Sequence, residues 1–97
     1  MFVYLIQNGS KKSIGAVKIG KANNVKKRLE ELQIGNPVKL NLLLKIEYES
    51  EKQAYDAELS LHRLFAKKRI RGEWYKLELY DLPRISAYLK KPLIMAS

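Results

Sequence analysis

VKIGKANNVKKRL, residues Val17 to Leu29, is the stretch whose reading decides the fold. Val17 and Ile19 flank Lys18 and read as the end of a strand. Gly20 to Asn24 turns the chain. Asn23 or Asn24 then caps a helix, its side-chain oxygen accepting a free backbone N–H. Val25, Leu29 and Leu32 recur at helical spacing, and Gly35-Asn36-Pro37 stops the helix. Arg28 falls three residues after Val25 and four before Leu32, so it borders the buried face. A planar guanidinium there is shaped for two oxygens of a phosphate. Gly20 and Lys21 enter the same turn, where free N–H groups and the helix dipole favour an anion. Lys26 and Lys27 fall further round, as a solvated basic face or as contacts to a nucleic-acid backbone.

Working outward, Phe2 to Gln7 is rich in β-branched and aromatic residues and reads as a strand. Asn8-Gly9-Ser10-Lys11-Lys12-Ser13 is turn chemistry, and Ala16 to Ile19 completes a hairpin. Val38 to Tyr48 alternates, with Leu40, Leu42, Leu44, Ile46 and Tyr48 on one side. It is expected to be a long strand with one buried face. Ser50 with Gln53 forms a capping box. The helix after it is expected from about Glu51 to Lys67, burying Ala54, Leu61, Leu64 and Phe65. Lys67 to Gly72 reads as a basic loop and Trp74 to Leu79 as a short strand. Asp81 is expected to cap a last helix reaching about residue 91, with Pro83 in its first turn. The tail beyond Pro92 reads as loosely held. The order is β-β-α-β-α-β-α, an α+β domain with helices covering a small, largely antiparallel sheet.

At 97 residues, one domain is expected over 1–97. The apolar fraction of 46% supports a folded core rather than a disordered tail. Nineteen Lys and Arg against ten Asp and Glu leave a charge of +9. That excess points to a polyanion, with nucleic acid ahead of an acidic membrane surface. Without cysteine, disulfides, thiolate metal sites and cysteine nucleophiles are excluded. The single histidine, His62, excludes sites built from several imidazoles. No apolar run approaches the ~20 residues of a membrane span. MFVYLIQ lacks a basic leader and is too short for a signal peptide, so a cytoplasmic protein is expected.

Glu58 lies on the apolar stripe of its own helix, four residues after Ala54. A carboxylate there must be paired, protonated or bound to a cation. Both a salt bridge and a metal ligand fit. His62 is one turn further along the same face, as a hydrogen-bonded structural residue, a second ligand, or a phosphate contact when protonated. Tyr4 and Lys18 share a face if the first two strands pair. A neighbouring ammonium lowers a phenol's pKa, which makes Tyr4 a candidate general base; simple packing is the alternative. Trp74 fits the core or a stacked base. Glu73 fits a second acidic ligand or a partner for nearby cations.

Taken in order, these pieces resemble the GIY-YIG nuclease superfamily. Phe2-Val3-Tyr4 is similar to its first motif, with Phe2 for glycine. Lys18-Ile19-Gly20 is similar to the second, with lysine for the first tyrosine. Arg28 falls on the family's helical arginine and Glu58 on its metal-binding glutamate. Gly72-Glu73-Trp74-Tyr75 resembles the closing motif of a subgroup common in phages and bacteria, which also favours Lys-Ile-Gly and the Glu-x-x-x-His pair. Leu32 and Gln33 stand where many members have histidine or tyrosine after the arginine.

The resemblance covers residues 2–77 and implies a three-stranded antiparallel sheet flanked by helices. It also implies a metal-dependent DNA endonuclease. Tyr4 would be the base, Lys18, Arg28 and His62 would assist, and Glu58 would hold one Mg²⁺ or Mn²⁺. Lys21, Lys26, Lys27, Lys67, Lys68, Arg69, Arg71 and Trp74 are the expected nucleic-acid contacts. So small a surface leaves specificity to a homodimer or a partner protein. The rival expectations are a non-catalytic nucleic-acid-binding module and a small phage-type interaction protein.

Overall fold

The computed structural model describes residues 1–9 and 15–96. In chain order the elements are β1 (Phe2–Asn8), β2 (Gly15–Ala22), α1 (Val25–Gln33), β3 (Leu40–Glu47) and α2 (Glu51–Leu64). A 3₁₀ turn, Ala66–Lys68, leads to β4 (Arg69–Arg71), β5 (Trp74–Leu77), α3 (Asp81–Leu89) and β6 (Ile94–Met95). The protein is α+β, and the sheet has six strands in the order β4-β5-β2-β1-β3-β6 rather than three. Every pairing is antiparallel. The expected turn at Ser10 to Ser13 lies outside the described residues.

Both faces of the sheet are covered. On one face Val3, Leu5, Val17, Ile19, Leu44 and Ile46 meet Ala54, Ala57 and Leu61 of α2, Phe65 just beyond it and Ile85 of α3. On the other, Tyr4, Ile6 and Leu40 meet Val25 of α1, with Leu29, Leu32, Leu42 and Trp74 at the margin. Alternation along β1 therefore divides two cores: odd residues serve α2 and even residues serve α1.

β3 departs from the expected single buried face. Leu5 pairs with Leu44, yet Ile6 pairs with Leu42, so Leu43 is skipped. One extra residue flips the side-chain parity of everything beyond it. Leu44 and Ile46 consequently join the α2 core, while Leu40 and Leu42 join the α1 core. The same alternating pattern in sequence serves two faces.

The helix ends follow their capping chemistry. Asn24 caps α1 by accepting from Lys27 N at 3.1 Å. Ser50 and Gln53 form the reciprocal capping box of α2. That helix ends at Leu64, short of Lys67, because the chain tightens at buried Phe65 into the 3₁₀ turn.

The expected loop at 67–72 contains β4. Arg69 and Arg71 pair with β5, and Gly72, at φ 55°, makes the return. β4 is exposed throughout, so it carried no apolar alternation to signal it. Charged side chains suit such an edge. The tail is likewise anchored: Ile94 and Met95 pair with Lys45 and Leu44.

Asp81 does not cap α3; it is the first helical residue. As N-cap it would have placed Pro83, which has no N–H, among the groups a cap serves. Its fully buried carboxylate instead accepts from Glu78 N and pairs with Lys68 at 2.7 Å and Arg84 at 2.8 Å. Burial acts to raise the Asp81 pKa, but Lys68, the Glu78 N–H and Arg84 outweigh it and hold it below the usual carboxylate value. A carboxylate depressed in this way stabilises the fold above its unfolded pKa near ~3.9, and the contribution is lost as pH falls through the folded value. Asp81→Ala is therefore expected to lower unfolding free energy at pH 7 by about 1.5–3 kcal/mol. Urea denaturation at pH 7 and pH 3 should show the difference between variant and wild type shrinking in acid. An unchanged difference sinks the prediction.

Candidate active site

β2 outruns its neighbour. It extends to Ala22, whereas β5 pairs with it only as far as Lys18. The edge of β2 from Ile19 onward is therefore open to side chains from both faces. Ile19 N donates to Glu73 O at 3.0 Å, and Ile19 O receives His62 Nε2 at 3.0 Å. A carbonyl only accepts, so Nε2 carries the proton. Stacking on Tyr75, with centroids 5.3 Å apart and planes 27° apart, fixes the ring.

α2 brings Glu58 to this notch beside His62. Together with Glu73, they place ligand atoms that all lie within 4.8 Å of one another. No other group of three or more such donors occurs among the described residues. Glu58 is 8% exposed and makes no ion pair among the described residues. Burial pushes its pKa above the usual carboxylate range, and the Glu73 charge adds to the rise; His62 and Lys21 act against it. Burial and the Glu73 charge outweigh the nearby positive charge of His62 and Lys21, so the net shift is upward.

Tyr4 reaches the same notch from the α1 face. It sits opposite Gly20 in the β1–β2 register. A Cβ added at Gly20 would lie 2.6 Å from Tyr4 Cζ and overlap its hydroxyl as well. The glycine of Lys-Ile-Gly thus makes room for the phenol to cross the neighbouring strand. Gly20→Ala should displace the ring and cost about 1–3 kcal/mol through overpacking. A urea midpoint equal to wild type would show that the ring yields without strain.

The sequence expectation for Tyr4 and Lys18 is corrected in part. They share a face, but Lys18 is opposite Ile6, and its ammonium turns to Glu73 at 3.1 Å and to the Trp74 ring at 5.8 Å. The cation at the Tyr4 hydroxyl is Arg28, whose guanidinium hydrogen-bonds to it. Burial raises the Tyr4 pKa, the Arg28 contact lowers it, and Glu73 and Glu58 raise it again; the net shift is upward. Lys18 is not among the groups that shift the Tyr4 pKa; its ammonium pairs with Glu73 instead.

Tyr4, Lys18, Arg28, Glu58 and His62 are thus brought together, and Glu73 joins them. Lys21 is close by, 3.5 Å from Glu51 at the start of α2. Lys26 and Lys27 are exposed on α1, and Lys67, Arg69 and Arg71 are exposed around β4. Lys68 is otherwise engaged, pairing with Asp81 and lying 4.9 Å from the Tyr80 ring centre. Trp74 is half-buried at the margin of the α1 core. Nothing in the sequence showed that Glu73 faces Glu58; only the hairpin return at Gly72 sets it there.

The site is thus a tyrosine, an arginine and a glutamate meeting at the unpaired end of β2, in an antiparallel sheet with helices on both faces. The model of the T5orf172 domain matches residues 1–89, and the chain belongs to that family, a phage-associated, nuclease-like group with this fold. Comparisons with curated proteins and with solved structures give no match. No described helix is long and apolar enough to cross a membrane.

Proposed function

We propose that the protein is a metal-dependent DNA endonuclease of the GIY-YIG type, in the subgroup with Lys-Ile-Gly as second motif. The observation that carries this is the meeting of Glu58, buried and without an ion pair among the described residues, with the Tyr4–Arg28 pair at one open strand edge. Family membership supports the same chemistry.

In this role Arg28, with Lys18, binds the scissile phosphate and stabilises its developing charge. Tyr4, in its phenolate form, takes the proton of the attacking water. Glu58 holds one divalent cation, Mg²⁺ or Mn²⁺, and its oxygen-donor chemistry fits either ion. When bound, the ion supplies charge stabilisation at the leaving oxygen. Lys21, Lys26, Lys27, Lys67, Arg69 and Arg71 contact the phosphate backbone and contribute affinity rather than sequence reading. The protein acts on cytoplasmic DNA.

The test is conversion of supercoiled plasmid to nicked circles with Mg²⁺ or Mn²⁺, wild type beside Glu58→Ala and Tyr4→Phe. Equal cutting by wild type and Glu58→Ala refutes the assignment. One observation favours a second reading, a binding module without catalysis: Tyr4 has a raised pKa and already engages Arg28. Steeply salt-dependent DNA binding with no nicking in either metal would select it.

A further inference from the structure

One ion at Glu58 leaves two neighbouring donors without a role. His62 Nε2 is committed to Ile19 O, so Nδ1 is the nitrogen with an available lone pair. A metal-ligating imidazole commonly donates its other N–H to a backbone carbonyl in this way, which fixes its tautomer and orientation. Stacking on Tyr75 holds the ring further.

Glu73 is fixed as well. Lys18 pairs with its Oε1 at 3.1 Å, which leaves the other oxygen for a second partner. Glu58, nine-tenths buried, faces Glu73, another carboxylate, and makes no ion pair with lysine or arginine among the described residues. Two carboxylates in that arrangement require a cation between them, either a proton or a metal. Donors held about 2.1 Å from one ion stand at most about 4.2 Å apart. One carboxylate oxygen of each glutamate and one ring nitrogen of His62 lie within 4.8 Å of one another, so side-chain rotation is needed to close them on an ion.

We propose that Glu58, His62 Nδ1 and Glu73 form a three-donor site for one first-row transition-metal dication, taking Mn²⁺ in preference to Mg²⁺. This rests on the proposed ion at Glu58 and completes its donor set. An imidazole nitrogen suits transition ions, whereas Mg²⁺ favours oxygen donors and retains its waters.

The experiment measures Mn²⁺ binding by loss of the free-ion paramagnetic resonance signal, with Mg²⁺ as competitor. Wild type is compared with Glu58→Gln, His62→Gln and Glu73→Gln, and plasmid nicking is followed in parallel. Glutamine at position 62 retains an N–H able to reach Ile19 O but removes the Nδ1 donor. Glu73 has a side chain 42% exposed, so its replacement leaves the core intact. Circular dichroism verifies the fold of all three variants.

Wild type should bind Mn²⁺ more tightly than Mg²⁺. His62→Gln and Glu73→Gln should each weaken Mn²⁺ binding by at least about tenfold, with His62→Gln changing Mg²⁺ competition by under about threefold. If only Glu58→Gln loses the ion, the three-donor site is overturned while the nuclease survives. If wild type binds no Mn²⁺, the two carboxylates share a proton and the site is overturned. If all three donors are needed but plasmid is never cut, the site stands and the nuclease does not.

Discussion

Glu58→Ala is expected to lower plasmid nicking by at least about 10³-fold while DNA affinity at fixed salt changes less than about threefold. The first magnitude follows from losing a metal's stabilisation of transition-state charge, several kcal/mol, at about 1.4 kcal/mol per tenfold. The second follows because, in the proposed role, affinity for the backbone would come from exposed cations elsewhere, on α1 and around β4. The variant should fold at least as well as wild type. Glu58 is buried, its pKa is pushed upward by burial and by Glu73, and truncation removes a desolvated carboxylate. A lower melting temperature together with lost binding would instead mark Glu58 as structural. That separation is what makes the variant informative.

Tyr4→Phe should reduce the rate by about 10²–10⁴-fold, the range for removal of a general base. The phenylalanine ring keeps the contacts with Ile6, Val25 and Leu40 in the α1 core. The loss to stability is the hydrogen bond with Arg28, about 1.5 kcal/mol for a bond to a charged group. The sign of the pH dependence follows from the raised phenol pKa. Below it the phenolate fraction grows about tenfold per pH unit, so the wild-type rate should climb through pH 7 to 9. The residual rate of Tyr4→Phe should lack that climb. A flat wild-type profile would remove Tyr4 from the base role and leave it as a hydroxyl that orients Arg28.

Much of the framework was legible because it depends on local chemistry. Asn24 and Ser50 mark helix starts through the bonds they accept. Gly35, at φ 77°, marks the end of α1. Glu58 stood out because a carboxylate on an apolar stripe needs a cation wherever the helix docks. The misreadings share a cause. β3 alternates faultlessly, and only its pairing with β1 shows the skipped residue. β4 and β6 are edge strands held by backbone hydrogen bonds, which impose little on side-chain type. Asp81 looked like a cap because one of its partners, Lys68, meets it only after α3 has packed.

The same division runs through the site. By itself the sequence determined that a tyrosine and a lysine lie on paired strands, that a guanidinium borders α1, and that a glutamate and a histidine share one face of α2. Those are consequences of periodicity within single elements. Tertiary structure decided which charges meet. β5 stops pairing at Lys18 and leaves the β2 edge open. Glu73 then takes the Lys18 ammonium, and Arg28 becomes the cation at Tyr4. Electrostatic partners are set by distances of a few ångströms between segments far apart in the chain, and side-chain spacing along one element carries no record of them.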